Sequence, residues 1–192
     1  MVDAVDISPE MLAVTDAKFK SQYEGRYRLI NCDIDSFLNS NESKRYDLIT
    51  FSSTLHHLHD YAGTFLKAVK VLRRPGIIMV FHEPLPKDRV SITNISNVLR
   101  KIDRFLWKYE GKILRKKGPT KSVSDQDAFL ADFHSRMDGV NPEVLFQIIN
   151  ENSGKILHYS EKSENMRHSW SALLDNVLRL RKDAYQLIVL FN

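Results

Sequence analysis

The feature that most constrains this chain is the alternation of short, apolar, β-rich runs with longer helical stretches, the pattern of strands wrapped by crossover helices into a mostly parallel sheet. Val2 to Asp6 reads as a strand, and Ser8-Pro9 then supplies an N-cap residue followed by proline at the first helical position. Pro9 to about Lys20 is expected to be helix, with Met11, Leu12 and Phe19 facing inward. A second strand runs from Tyr27 to Asn31. A third, Tyr46 to Phe51, passes through a polar turn into a helix from about Asp60 to Arg73. Pro75-Gly76 should end that helix and open an apolar strand, Ile77 to His82.

After Pro84 the alternation stops. Ile92, Ile95, Val98, Leu99, Ile102, Phe105 and Leu106 recur with helical period and mark one amphipathic helix. Further helices are expected from about Asp125 to Arg136 and from Asn141-Pro142 to about Glu151, where Ser153-Gly154 closes the last. This stretch, with Trp107, Tyr109 and Phe129, reads as a helical insertion over one end of a sheet. The chain then returns to strand, helix, strand: Lys155 to Tyr159, about Asn165 to Arg181, and Tyr185 to Phe191.

The 192 residues are enough for one domain with a real core, and 43% apolar with 27% charged residues excludes disordered and fibrous classes. Cys32, the only cysteine, excludes an internal disulfide. With no secretory signal recognisable at the start, a reducing, cytoplasmic setting is expected. The longest apolar runs, Ile77 to Phe81 and Leu187 to Phe191, have the length of buried strands, so no membrane partner is expected. Positive charge gathers at Lys108, Lys112, Arg115, Lys116, Lys117 and Lys121, opposed only by Glu110. That cluster reads as a solvated stretch after a helix, or as a surface for an anion; nucleic acid ranks last among partners.

In a wound sheet, ligands sit beyond the carboxyl ends of the strands, so the residues just after each strand carry the information. Asp6 ends the first strand, where a carboxylate can accept from both hydroxyls of a ribose. Asp33 follows the second, where it can accept from the exocyclic amine of a purine. Their successors Ile7 and Ile34 can sandwich an adenine ring, and Ser52 follows the third strand. Aspartate is also a common helix cap and turn former, so either residue alone says little. Two at consecutive strand ends, each followed by isoleucine, suggest a nucleoside pocket.

His56, His57 and His59 lie too close together, without thiolate or carboxylate company, for a common zinc site, and no metal is expected. His57 could act as a base or orient a substrate near neutral pH, or simply pack the loop. His82 and Glu83, at the end of the fourth strand, could contact a substrate's polar group, or bond neighbouring loops. No Ser/His/Asp or Cys/His grouping favours hydrolysis.

At these residues the sequence resembles a family. Val5-Asp6-Ile7-Ser8-Pro9-Glu10-Met11-Leu12 is similar to the second-strand motif of class I, Rossmann-like S-adenosylmethionine-dependent methyltransferases of small molecules, and Asn31-Cys32-Asp33-Ile34 to their next motif. Tyr46-Asp47-Leu48-Ile49 through Leu55-His56-His57-Leu58 resembles the fourth strand and its loop. Leu72-Arg73-Arg74-Pro75-Gly76 resembles the turn into the fifth, with Ile77 where relatives often have a second glycine. The resemblance spans about residues 1 to 84 and implies S-adenosyl-L-methionine as cofactor, Asp6 at its ribose, Asp33 at its adenine amine, and a sheet whose last strand is antiparallel.

It also implies an absence. Relatives carry an earlier strand ending in a G-x-G-x-G-like loop, and that strand would lie between the first and third strands seen here. The expectation is therefore one Rossmann-like α/β domain with its first central strand missing: residues 1–84 a partial cofactor-binding core, 85–153 a helical insertion, 154–192 the final strand, helix, strand. The implied function is methyl transfer to a small-molecule acceptor, with little or no activity for this truncated chain alone. The alternative is a noncatalytic methyltransferase-like remnant or interaction protein.

Overall fold

The computed structural model describes residues 1–41, 43, 45–114, 139–162 and 181–192, with backbone only at 104, 106–114 and 181. The expected helix at 125–136, Phe129, and the basic residues Arg115, Lys116, Lys117 and Lys121 lie outside the described residues, as does nearly all of the helix expected at 165–181.

Strand β1 (Val2–Asp6) leads into helix α1 (Pro9–Tyr23), where the Ser8 side chain accepts from the Met11 amide. The proline at the first turn loses no hydrogen bond there, because that amide would have no partner within the helix. Leu12 is buried and Phe19 packs edge-on against Tyr23 and Tyr27, but Met11, expected to face inward, is 55% exposed. Strand β2 (Tyr27–Asn31) pairs in parallel with β1, from Val2 opposite Tyr27 to Asp6 opposite Asn31. A short helix, α2 (Ile34–Ser40), follows; the sequence reading did not foresee it.

Strand β3 (Tyr46–Ser52) runs through a 3₁₀ turn (Leu55–His57) into helix α3 (Tyr61–Val71). Strand β4 then spans Leu72–Pro84. Pro75-Gly76 therefore lies inside a strand, not between helix and strand as expected. Gly76 pairs with Phe191, and a Cβ there would stand 2.2 Å from the Arg73 carbonyl oxygen, so only glycine fits without movement.

Helix α4 (Asn94–Leu114) forms where the apolar period placed it, after the two-residue strand β5 (Ser91–Ile92). On its apolar face Ile95, Val98, Ile102 and Phe105 are all exposed. Helix α5 (Pro142–Glu151), capped by Asn141, and strand β6 (Gly154–Lys162) precede β7 (Arg181–Lys182) and β8 (Ala184–Phe191).

The sheets are mixed rather than mostly parallel. One has two strands, β1-β2; another has the order β3-β4-β8-β6; β5 and β7 make a third. Strand β8 is antiparallel to both its neighbours, while β3 and β4 are parallel. Among the described residues β1 and β3 each pair on one side only, and no ladder joins them. A side-chain hydrogen bond crosses this gap, from the Tyr46 hydroxyl to Asp3 Oδ2 at 2.9 Å. The core gathers around the larger sheet, where Leu55, Phe65, Ile78, Val80, Leu187, Val189 and Phe191 are fully buried.

Candidate functional site

The carboxyl ends of β1, β2, β3 and β4 and the turns just beyond them carry Asp6, Ile7, Asp33, Ile34, Ser52, His57, His82 and Glu83. Asp6 Oδ1 accepts from the Ser8 amide at 2.8 Å, which holds the turn into α1; among the described residues no hydrogen bond to Oδ2 is found. Asn31 donates from Nδ2 to the carbonyls of both Asp6 and Ile7, each at 3.0 Å, locking the two strand ends together. Ile7 stands 61% exposed just beyond this clamp.

Asp33 is the N-cap of α2, its Oδ1 accepting from the Ser36 amide at 2.8 Å. The capping role weighed against function in the sequence is thus present in the fold. The Ser36 backbone and side-chain hydrogen bonds favour the charged form and hold Asp33 below the ordinary carboxylate value. Ile34, its successor, lines a groove of about 160 Å³ between β1 and β3, together with Val5, Tyr46, Leu48, Thr50 and Thr54. Leu48 is 52% exposed on that side although it lies mid-strand. A larger cavity, about 440 Å³, lies at the amino end of β3 and β4 beside Arg45, Lys70, Arg73 and Arg74, remote from all of these residues.

The ends of β3 and β4 are the most constrained part of the site. Ser53 and His82 both adopt left-handed backbone conformations, φ 50° and 58°, costly for residues with a Cβ and sustained only where surrounding contacts dictate them. The Ser53 amide donates to the Phe81 carbonyl at 3.0 Å. Register shifts between Val80 and Glu83, a β-bulge that breaks the strand's alternation. Gly76, Ile78 and Val80 face the core; after the bulge Glu83 does, and His82 is turned outward to solvent.

Glu83 is fully buried, yet its acceptor positions are filled. Oε1 accepts from the amides of Thr54 and Leu55 at 2.7 and 3.0 Å, and Oε2 from the His56 amide at 3.1 Å. Oε2 also lies 2.8 Å from His56 Nδ1. Burying a carboxylate costs on the order of several kcal/mol, and a saturated set of donors is what offsets that cost. The His56 ring in turn lies against His57, centroids 4.1 Å apart. Sequence reasoning singled out His57; the imidazole that meets the buried carboxylate is that of His56. The only signal for this lay in an acidic residue closing the strand next to a histidine loop, and the bulge that aims it is invisible in the pattern.

Two aspartates thus stand at the carboxyl ends of the parallel strands β1 and β2, beside a strained turn after β3 that a buried glutamate holds. Residues 1–80, under half of the chain, match the family model for a methyltransferase domain, one of the class I S-adenosylmethionine-dependent type. No curated protein sequence matches the chain.

Solved structures share the fold. The N-methyltransferase NodS from Bradyrhizobium japonicum WM9, solved with S-adenosyl-L-homocysteine, matches 98% of this chain at 12% identity and a TM-score of 0.51. A putative sarcosine dimethylglycine methyltransferase from Galdieria sulphuraria matches 98% at 11% identity and 0.54, covering 68% of that chain. PKMT2 from Rickettsia typhi matches 99% at 12% identity and 0.52, covering 44% of its own chain. This chain spans 65% of the length of NodS. No described helix is long and apolar enough to cross a membrane.

Proposed function

We propose that this chain provides the nucleoside-binding half of an S-adenosylmethionine-dependent methyltransferase site acting on a small-molecule acceptor. The observation that carries the reading is the pair Asp6, ending β1, and Asp33, just beyond β2, with the two strand ends tied by the Asn31 clamp, Asp6 Oδ2 left for a ligand and Ile7 exposed beside it. Asp6 would take the ribose hydroxyls and Asp33 the adenine amine, with Ile7 and Ile34 on the ring faces and Ser52 at the end of the neighbouring strand. His57 and His82 stand on the acceptor side. The cofactor, when bound, supplies an activated methyl group on a sulfonium, so the protein's task is chiefly alignment and exclusion of water.

The residues fit the nucleoside end of this cofactor. For the methionine end we propose that the slot between β1 and β3 takes one further parallel strand, whose following loop brings backbone amides to the carboxylate. The one-sided pairing of both strands and the exposure of Leu48 support this, because unpaired edges and mid-strand apolar surface favour an added strand. The same open slot favours the second reading, a noncatalytic methyltransferase-like protein, for the chain acting alone.

Calorimetry with S-adenosyl-L-homocysteine tests the first reading. Weak but measurable binding is expected, reduced roughly a hundredfold, about 3 kcal/mol, by Asp6→Ala, which removes hydrogen bonds to a charged acceptor. No binding to well-folded protein would leave the second reading.

A further inference from the structure

We propose that Asn31 is a positioning residue of the nucleoside site, its side-chain amide fixing the turn through which Asp6 and Ile7 leave β1; this rests on the methyl-transfer reading. Asn31 closes β2 as the register partner of Asp6, so its side chain stands beside the neighbouring strand end. A carboxamide carries two N–H groups on one nitrogen and can hold two acceptors at once. Here both go to backbone, to the carbonyls of Asp6 and Ile7, each at 3.0 Å. Successive carbonyls along a strand point to opposite sides. Two neighbours that reach one nitrogen therefore mark the place where the chain turns out of β1, and Ile7 is a bend.

The same turn is tied from its other end. The Ser8 amide donates to Asp6 Oδ1 at 2.8 Å, so the Asp6 side chain closes a ring over residues 6 to 8. Asn31 fixes the two carbonyls within that ring. The Asp6 carboxylate is left with one oxygen tied back and one, Oδ2, without a hydrogen bond among the described residues. Ile7 holds an apolar side chain, 61% exposed, beside it. Asp33 has an anchor of its own in the Ser36 amide, so Asn31 acts on the site through Asp6 and Ile7.

Position rather than stability is what the clamp supplies. Asn31 is exposed, as are both its hydrogen bonds, and water can replace its N–H groups at the two carbonyls with little loss of folding free energy. Water does not hold the two carbonyls at a common point. Without the amide, the turn from Asp6 to Ser8 samples other conformations, and a ribose must then order the carboxylate as it binds. With the amide in place, that ordering is complete before the ligand arrives.

Two measurements on the full chain test this with Asn31→Ala, or with Asn31→Asp, which keeps the shape and lacks both donors, should the first variant fail to fold. In the free protein, NMR-detected exchange of the Ser8 amide reports whether Asp6 Oδ1 still holds it. Exchange should quicken severalfold in N31A while amides within β2 and α1 keep their rates. An unchanged Ser8 rate overturns the proposal. So does an equal rise throughout β1, β2 and α1, which would mark Asn31 as a brace for the strand pair alone. Calorimetry with S-adenosyl-L-homocysteine reads the consequence: N31A should bind roughly tenfold more weakly, the order expected when one contacting side chain must be immobilised on binding. Binding equal to wild type overturns the role at the site. Absence of binding by the wild-type chain removes the methyl-transfer reading instead, and the hold of Asn31 on Asp6 is still decided by the Ser8 rate.

Discussion

The β1–β2 unit and the four-stranded sheet are built from the same kinds of residue and buried to different depths. In the larger sheet and its helices, side chains such as Phe65, Ile78, Leu187 and Phe191 are fully inaccessible. In residues 1–41 the buried apolar side chains are Leu12, Phe37 and Leu38, at 7, 7 and 3%, while Val2, Met11 and Val14 are about half exposed. The difference teaches that a strand pair needs neighbours on its edges as well as on its faces. Among the described residues β1 has a ladder partner, β2, on one side and none on the other, where the Tyr46–Asp3 hydrogen bond crosses to β3. The proposed nucleoside contacts thus stand on the looser unit, and the Glu83–His56 pair on the tighter one.

The strongest way to break this comparison is to cut equivalent holes in each half. Phe65→Ala should cost about 3–5 kcal/mol in urea melts, because a fully enclosed ring leaves a cavity that cannot collapse. Leu12→Ala should fall near the low end of the range for such truncations, about 2 kcal/mol, since its surroundings can relax or admit water. Equal losses would show the two units to be one cooperative core. Amide hydrogen exchange sharpens the point without mutation: β4 and β8 should exchange only through global opening, β1 and β2 through smaller, cheaper openings.

The crossing hydrogen bond predicts a smaller, pH-dependent effect. Burial first, then the hydrogen bond to Asp3, pushes the Tyr46 phenol up from 10.0 to about 12. Its folded value is raised, so its contribution is fully present below pH 10 and lost as pH rises through about 12, where the unfolded chain has already ionised. Tyr46→Phe should cost about 1 kcal/mol near neutrality and remove that alkaline loss. Unchanged alkaline melts would mean the bridge does not join the two units.

The smallest effect concerns the Asp33 cap. Its folded value lies below the ordinary 3.8, so its stabilisation is present above that value and disappears as pH falls through the lower folded one. Asp33→Asn, which keeps a capping oxygen, should leave neutral stability almost unchanged and flatten the acid limb of a stability–pH profile.

Much of this was legible in the chain. Ser8-Pro9 and Asn141-Pro142 mark two helix starts correctly because a cap and a proline act within one turn of backbone. Asp6 and Asp33 were found at strand ends because apolar period and polar punctuation are local too. Helix α2 escaped notice, since seven residues offer too little periodicity and Asp33 was weighed as a ligand group first. Pro75-Gly76 misled because the pair usually breaks structure, whereas here pairing with β8 carries the strand through Gly76.

By itself the sequence determined the alternating α/β order, the positions of the two aspartates and the helical stretch after Pro84, all set by interactions between residues near in the chain. The resemblance already implied an antiparallel last strand and a gap between β1 and β3; only the tertiary structure decided that β8 pairs with both β4 and β6, that the Tyr46 hydroxyl reaches Asp3, and that Glu83 turns inward to meet His56. Each of those depends on strands distant in sequence sharing hydrogen bonds, and a one-residue bulge reverses which side chains face the core without leaving any mark in the pattern of residue types.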